Sequence, residues 1–290
     1  NYNQIYNNIG QEDVAQAQAF TDTWTWNDRA NQGFEEIVGN PYGVCTKQSI
    51  NLMLGLHQIL GKGSLLAYLV SMTQRIAELH RVLKSTGSLY LHCDPTASHY
   101  LKLVLDAIFC AHGGDFRNEI VWHYEKKKKT KYHQFSRKHD VLLFYSKSDQ
   151  NIFNPITEPW ERDDYIKNRK QKIYVEADGR EYVWADGRKT VKRYIDQVLI
   201  EGKAIDTVWN IRALTTSSSE RLGYPTQKPE KLLERVIKSS SNEGDVVLDA
   251  YCGCGTTVAV AERLKRQWIG MDITYQSISL ILKRLEDSFG

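Results

Sequence analysis

Apolar positions recur at helical spacing early in the chain and form short continuous runs later. Residues 65–83 carry an apolar stripe, and Lys84-Ser85-Thr86-Gly87 ends it before the run Ser88–His92. The stripe predicts a helix over 65–83, and the run predicts a strand that follows it. Helix followed by strand, repeated along the chain, predicts an α/β fold with a mostly parallel sheet and helices on both faces.

The pattern changes between residues 151 and 219. Tyr165–Tyr194 is dense in lysine, arginine and aromatic residues, and Glu181–Trp184 alternates in polarity. Asp178-Gly179 and Asp186-Gly187 flank that alternating stretch. Asp-Gly dipeptides beside alternating residues predict β-hairpins, so a small hairpin-rich region is expected here as an insert.

A glycine-rich turn near the C-terminus joins a strand to a helix. The apolar run Val246–Leu248 leads through Asp249–Gly255 into the helix-like stretch Thr256–Leu264. A second apolar run then ends in Asp272, which lies 23 residues beyond Asp249. An acidic residue about 20 positions beyond a glycine turn is where Rossmann-like folds place the carboxylate that binds ribose hydroxyls.

The residues of this turn favour one class of ligand. In dinucleotide sites a third small residue follows the two glycines, whereas Val258 stands there in this chain. The carboxylate of Asp249 would repel a pyrophosphate and attract an ammonium group. Asp249 and Asp272 together suit a ligand with an amine at one end and a ribose at the other, such as S-adenosylmethionine. The alternatives are a nicotinamide oxidoreductase, which Val258 and Asp249 disfavour, and a glycine turn in an unrelated α/β protein.

Composition is that of an ordinary globular protein. Of the 290 residues 41% are hydrophobic and 25% charged, and no run reaches the ~18 uncharged apolar residues of a membrane span. Five cysteines without a C-x-x-C pair favour reduced thiols inside a cell. We therefore expect an intracellular protein, cytoplasmic if bacterial and nuclear if eukaryotic, with no membrane partner. Cys252 and Cys254 are expected to face the cofactor, with no metal.

Several segments resemble the DNA amino-methyltransferases that modify adenine N6 or cytosine N4. Asp249–Thr257 resembles their S-adenosylmethionine motif, with Ala250 and Tyr251 in place of the usual Pro and Phe, and 222–229 resembles the segment that precedes it. Residues 88–102 resemble the segment after the catalytic strand in the β-type motif order, in which the cofactor motif comes last. Asn118–His123 and His139–Lys147 resemble the two strands that follow.

The resemblance implies a cofactor site and a division of the chain. Asp272 would hold the ribose and Asp249 the amino group, and Thr226 can cap a helix beginning near Pro229 whose free N–H groups favour a carboxylate. A capped surface helix without a ligand is the alternative for that segment. The implied cofactor residues are Asp249, Tyr251, Cys252, Gly253, Gly255, Thr256, Thr257, Asp272, Ile273, Thr226 and Lys228. The implied parts are a catalytic-side half, 1–150, a target-recognition insert, 151–219, and an S-adenosylmethionine-binding half, 220–290.

A basic run between the two later strand candidates points to a nucleic acid. Its cations are Lys126, Lys127, Lys128, Lys129, Lys131, Arg137 and Lys138. By itself such a run is most simply a solvated face. Beside methyltransferase motifs it predicts contacts to the phosphates of double-stranded DNA. Tyr132, His133 and Phe135 interleave with the charges and would stack on unpaired bases or anchor the loop. A homodimer and a partner subunit are both left open.

One family feature is absent from these 290 residues. Members carry an Asp/Asn/Ser-Pro-Pro-Tyr/Phe tetrapeptide that binds the exocyclic amine, and its nearest imitations here are Asn40-Pro41-Tyr42 and Asp94-Pro95-Thr96. We expect Asn40–Gly43 to be a turn. Asn1–Tyr6 resembles the segment after the tetrapeptide, so we expect the chain to begin just behind it; the alternative is a catalytically silent DNA-binding relative or regulatory subunit. No catalytic residue is assigned from the sequence.

Overall fold

The computed structural model describes residues 24–124, 133, 135–224 and 226–290. They form two compact units. The larger unit comprises Thr207–Gly290 and the described residues before Pro155, and the smaller unit is Pro155–Asp206. The smaller unit lies within the predicted insert 151–219, and the predicted boundaries themselves stay predictions.

The helices and strands alternate strictly from Val208 onward, whereas several helices or several strands follow one another before it. The helices are α1 Asp28–Gly39, α2 Lys47–Leu60, α3 Ser64–Val82, α4 Ser98–Phe109, α5 Arg162–Arg169, α6 Ile195–Glu201, α7 Glu230–Ser240, α8 Thr256–Arg263 and α9 Tyr275–Phe289. The strands are β1 Ser88–Cys93, β2 Asp115–His123, β3 His139–Ser146, β4 Thr157–Glu158, β5 Tyr174–Val175, β6 Glu181–Trp184, β7 Lys192–Tyr194, β8 Lys203–Ala204, β9 Val208–Asn210, β10 Val246–Asp249 and β11 Gln267–Gly270. The helix predicted over 65–83 is confirmed as α3, and the strand predicted after it as β1.

The main core lies between helices α1–α4 and one face of a four-stranded sheet. Leu66 and Leu69 of α3 and Leu101 of α4 are completely buried there against Leu143 and Tyr145 of β3. Burial of each such leucine contributes about 1.5–3 kcal/mol. Because the apolar stripe of α3 recurs every three to four residues, the helix turns a continuous face toward this core.

The four strands have the order β1-β3-β2-β9. β3 pairs antiparallel with both β1 and β2, and β9 pairs parallel with β2. β2 and β3 are close in sequence, and strands joined by a short connection pair antiparallel, whereas a parallel pair needs a longer crossover. The α/β class is thus confirmed, and the sheet is partly rather than mostly parallel.

Helix α7 covers the other face of this sheet and runs antiparallel to β1. Near its C-terminus, the hydroxyl of Ser240 lies 2.8 Å from that of Tyr90. Closer to its N-terminus, the guanidinium of Arg235 lies 5.4 Å from the ring centre of Trp209. Strand pairing aligns Trp209 with Trp122, and Trp122 with Asp140 of β3. Tyr90 is aligned with Phe144 of β3, so Trp209 lies four residues farther toward the carboxyl end of β1 than Tyr90 does. The N-terminus of α7 therefore points to the carboxyl edge of β1.

The C-terminal part is a strand–helix–strand–helix arrangement. β10 and β11 pair in parallel, with Val246 opposite Gln267 and Asp249 opposite Gly270. Helix α8 connects them, and its Val258 and Val260 are buried. The strand–turn–helix prediction for residues 246–264 is confirmed. Both strands end at the same edge, so the loops that follow Asp249 and Gly270 lie side by side.

The smaller unit contains a three-stranded antiparallel sheet, β5-β6-β7, beside α5 and α6. The hairpins predicted at the two Asp-Gly dipeptides are confirmed. The Asp178 carboxylate accepts a hydrogen bond from the backbone N–H of Arg180, and Asp186 accepts bonds from those of Thr190 and Val191. Across both units, no helix in the described ranges has the length and hydropathy needed to cross a membrane.

Candidate functional site

The glycine turn after β10 requires glycine at two positions. Gly253 and Gly255 have φ values of +51° and +75°, in the left-handed region that favours glycine. A Cβ on Gly255 would lie 2.6 Å from Cγ1 of Ile281, so only glycine lets α9 pack this close to the turn. A Cβ on Gly253 would lie 3.0 Å from the ring of Tyr224. The turn therefore packs between α9 and the segment that leads to α7.

Asp272 ties this turn to the end of β11. Its Oδ2 accepts a hydrogen bond from the backbone N–H of Gly253 at 3.0 Å. Its Oδ1 accepts from the backbone N–H and the hydroxyl of Thr274 at 3.0 and 3.1 Å. A carboxylate offers about four lone-pair positions, so these three bonds leave room for one further donor. Asp272 can thus shape the turn and still accept a ligand hydroxyl.

Asp249 provides a second carboxylate on the same turn. It accepts hydrogen bonds from the backbone N–H of Tyr251 at 3.0 Å and from the hydroxyl of Thr257 at 2.5 Å, which leaves about two lone-pair positions. Burial, followed by the charges of Asp249 and Asp272, raises the pKa of Cys252 to about 12. Both carboxylates thus lie close to Cys252, which stays a neutral thiol, and together they create a local field that favours a cationic group.

Exposed apolar residues stand next to the two carboxylates in the sequence. Tyr251, Met271 and Ile273 are large hydrophobic residues that the fold leaves exposed where β10 and β11 end. Met271, which is 52% exposed, was not among the predicted site residues. Apolar surface beside a few convergent polar groups is the usual composition of a small-molecule site.

Three residues that were expected to face the cofactor are buried, namely Cys252, Cys254 and Thr256. The Thr256 hydroxyl accepts a hydrogen bond from Arg284 at 3.2 Å. Arg284, only 6% exposed, also donates to Glu230 at the start of α7. These contacts hold the N-terminus of α7 beside the first residue of α8.

The prediction that Thr226 caps the helix near Pro229 is wrong. Helix α7 begins at Glu230. Its N-cap residue is Pro229, whose side chain makes no capping hydrogen bond. Instead, the Glu220 carboxylate accepts a hydrogen bond from the backbone N–H of Glu230 at 2.9 Å. The Glu220 carboxylate thus already accepts from one of the N–H groups at this helix N-terminus. The Lys228 ammonium donates a hydrogen bond to the carbonyl oxygen of Thr226 at 3.0 Å. The segment before α7 therefore carries a positive charge.

A polar cluster absent from the sequence-based predictions lies at the carboxyl end of β1. Nε2 of His92 lies 3.1 Å from Oδ2 of Asp140, and the hydroxyl of Tyr124 donates to Oδ1 of Asp140 at 3.2 Å. The ring of Trp122 lies 5.8 Å from that of His92. Three neighbouring strands thus contribute to one cluster at the edge where α7 begins.

Comparison with known proteins decides the family. The sequence profile described as DNA methylase, of the N6/N4 type, matches residues 37–283. The chain belongs to the N6/N4 DNA methylase family. The prediction of a DNA amino-methyltransferase family from the sequence is therefore confirmed.

Individual members of the family and of the fold show the same relationship. The chain is 32% identical over 213 residues to the DNA adenine methyltransferase YhdJ of Escherichia coli strain K12, covering 73% of this chain and 64% of that protein's length. The solved complex of M1.HpyAVI with SAM superposes with a TM-score of 0.50 at 16% identity, over 83% of this chain and 97% of that one. The cytosine-N4-specific PvuII DNA methyltransferase gives 0.52 at 15% identity, over 78% and 73%. Both solved structures share the fold of this chain.

The two imitations of the methylase tetrapeptide are both turns. Asn40 has a φ of 45°, and its side-chain amide bonds both the N–H and the carbonyl of Cys45 at 2.9 Å, which confirms the predicted turn. The Asp94 carboxylate accepts a hydrogen bond from the N–H of Thr96 at 3.0 Å. The carboxyl and amide groups of these residues are thus engaged in closing their own turns.

Only part of the predicted basic run lies in the described residues of this chain. Arg137 and Lys138 are exposed just before β3, and Phe135 nearby is 98% exposed. The lysines 126–129 and 131 lie outside the described residues. The described residues at the two ends of this connection, Tyr124 and Lys138, lie at the same end of the sheet as His92 and Asp140.

Proposed function

We propose that this methylase transfers the methyl group of S-adenosylmethionine to the exocyclic amine of adenine or cytosine in DNA. The observation that carries the proposal is the pair of carboxylates, Asp249 and Asp272, held on the glycine turn with acceptor positions to spare. Membership of the N6/N4 DNA methylase family supports it. So does the fold shared with M1.HpyAVI, which was solved as a SAM complex.

The residues of the turn fit the cofactor at both of its polar ends. Asp272 has one acceptor position left, which suits a ribose hydroxyl, and Asp249 has two, which suit an ammonium group directly or through water. Tyr251, Met271 and Ile273 provide exposed apolar surface for the adenine ring. When bound, S-adenosylmethionine supplies a methyl group activated by a sulfonium.

The protein's own task is then to bring the target amine to that methyl group. A base inside a duplex cannot present its amine, so we infer that the target base is turned out of the stack. Catalysis rests mainly on orientation, since holding two reactants in line replaces a costly encounter in solution. Adenine N6 is the first choice of target, because the similar Escherichia coli protein is named a DNA adenine methyltransferase.

Each of the two units carries a basic surface that would contact DNA phosphates. The run 126–138 supplies one, with Arg137 and Lys138 exposed among its described residues. The other lies on the smaller unit, where the end of α5 exposes Lys167, Arg169, Lys170 and Lys172. Phosphate contacts from such cations set the register of the protein on the duplex. We propose the region 151–219 as the element that reads the base sequence.

Two measurements on this chain test the proposal. Calorimetric titration with S-adenosylmethionine should show saturable binding, which Asp249→Asn and Asp272→Ala weaken. Incubation of the full-length protein with tritium-labelled S-adenosylmethionine and unmethylated genomic DNA should place label in the DNA. Binding without transfer would favour the catalytically silent relative, which the missing tetrapeptide motivates. Absence of binding would overturn the cofactor assignment.

A further inference from the structure

The cluster at the carboxyl end of β1 is built as a unit from separate elements. His92 and Asp140 lie on adjacent antiparallel strands, offset by two residues in register, so their side chains share one face of the sheet. Tyr124 follows β2 and reaches the second oxygen of the same carboxylate. The side chains of His92 and Asp140 are 24% and 20% exposed, so a ligand can reach a cluster that is otherwise enclosed.

The hydrogen bonds fix which nitrogen of His92 carries the proton. An ionised Asp140 accepts hydrogen bonds only, so Nε2 of a neutral His92 must donate to it. Nδ1 is then unprotonated and is a hydrogen-bond acceptor. Among the residues that the structure describes, Nδ1 has no partner, whereas Nε2 and both oxygens of Asp140 are engaged.

The charges around the cluster keep the imidazole neutral. Burial lowers the pKa of His92, and the nearby cation Lys228, just before α7, lowers it further, while Asp140 and Asp94 act against this shift. For Asp140, burial opposes ionisation, but hydrogen bonds from His92 and Tyr124 and the charge of Lys228 outweigh it and lower its pKa. At neutral pH the pair is therefore a neutral imidazole that donates to a carboxylate.

The N-terminus of α7 lies between the His92 cluster and the glycine turn. Helix α7 runs antiparallel to β1 over the face that carries His92, so Lys228 comes to the carboxyl edge of that strand. Glu230, two residues later, bonds Arg284, which bonds Thr256 at the start of α8. Lys228 is thus close enough to His92 and to Cys254 of the turn for its charge to act on both.

We propose that Nδ1 of His92 accepts a hydrogen bond from the exocyclic amino group of the target base. This inference rests on the proposed function and adds an acceptor for the amine within this chain. An adenine or cytosine amine has two N–H donors, and the base ring has flat π faces, which matches an imidazole acceptor beside the Trp122 ring. Asp140 and Tyr124 are positioning residues, since they hold His92 in the accepting tautomer.

The test is nitrogen NMR of the full chain labelled with ¹⁵N-histidine. The chain has eight histidines, and the signal that His92→Gln removes identifies His92. The expected spectrum at neutral pH shows protonated Nε2 and bare Nδ1. Asp140→Asn should reverse this tautomer, because the amide can donate to Nε2. His112→Gln is the matched control, since His112 lies at the opposite edge of the sheet, follows α4 and bonds the carbonyl of Ile108.

Nucleosides then test recognition directly. Deoxyadenosine or deoxycytidine should shift the Nδ1 signal of His92 saturably, and N6,N6-dimethyldeoxyadenosine, which lacks amine protons, should not. Asp140→Asn should abolish the shift while leaving S-adenosylmethionine affinity within about twofold of the unaltered chain. An unshifted Nδ1 signal, or equal shifts with the dimethylated nucleoside, would overturn the inference. Because cofactor binding and methyl transfer are measured separately, the inference can fail while the proposed function stands.

Discussion

At the scale of single residues, Asp272 has both a structural and a proposed binding task. Asp272→Ala removes the acceptor of the Gly253 N–H and the proposed ribose contact, so S-adenosylmethionine affinity should fall by ~1–3 kcal/mol. Calorimetric titration measures it. Asp272→Asn is the matched variant, because it keeps the size and one acceptor oxygen and should lose less. Equal affinity for all three proteins would remove Asp272 from the site.

Residue positions differ in how far sequence could predict them. Asp249 and Asp272 were predictable, because each directly follows an apolar run and parallel strands end at one edge of a sheet. The contact between His92 and Asp140 was not, since it depends on the register between strands that are 48 residues apart at that bond. Glu220 replaced Thr226 at the helix N-terminus because the loop before α7 folds back, which no local signal indicates.

At the scale of elements, Glu230 fastens α7 to α8 and α9. Its carboxylate pairs with Arg263 and with the buried Arg284. Glu230→Gln leaves Arg284 short of a charged partner, so the free energy of unfolding at pH 7 should fall by ~2 kcal/mol. Chemical denaturation measures it. Glu234→Gln on the same helix is the control, since its pair with Lys238 is a surface ion pair, worth about 0–1 kcal/mol.

The effect of Glu230 should depend on pH. Burial raises the pKa of this carboxyl, but the hydrogen bonds and charges of Arg263 and Arg284 outweigh burial and hold it below the usual 4.5. A lowered pKa in the folded state adds stability above the unfolded value and loses it on acidification. The difference between the chain and Glu230→Gln should therefore shrink as pH falls below about 4.5. A difference that stays constant to pH 3 would show that the charge of Glu230 is not what stabilises the fold.

The basic run is a second prediction at this scale. Changing Lys126–Lys129 to alanine should weaken DNA binding for all sequences alike, and it should flatten the salt dependence by about 0.9 slope units per lost phosphate contact. Fluorescence anisotropy over a range of salt concentrations measures both. The matched variant changes four exposed lysines elsewhere, at 62, 84, 231 and 283. A slope equal to that of the unaltered chain would make the run a solvated face.

Elements themselves followed the sequence closely where one pattern dominated. The 3.6-residue stripe of α3 and the Asp-Gly hairpins each depend on a local period or turn, and both are confirmed. The strand directions in the sheet were harder to predict from the sequence. It depends on which strands become neighbours, and the pairing of β3 between β1 and β2 makes two antiparallel contacts that helix–strand alternation does not reveal.

At the scale of the whole molecule, the smaller unit should govern which DNA sequence is chosen. Phosphate contacts do not read sequence, so discrimination must come from side chains that reach base edges or from DNA deformation. Exchanging 151–219 for the matching region of a relative should change the modified sequence and leave S-adenosylmethionine affinity nearly unchanged. Methylation mapping by sequencing, beside a cofactor titration, measures both. An unchanged sequence preference in a folded chimera would move recognition to 125–138 or to a segment outside this chain.

Methyl transfer itself is the most direct test of the central claim. The full-length protein is incubated with S-adenosylmethionine carrying a trideuterated methyl group and with unmethylated genomic DNA, and the DNA is digested to nucleosides for mass spectrometry. We predict trideuterated N6-methyldeoxyadenosine or N4-methyldeoxycytidine, which Asp249→Asn reduces strongly. Label on carbon 5 of cytosine, or no labelled nucleoside although S-adenosylmethionine binds, would contradict the account.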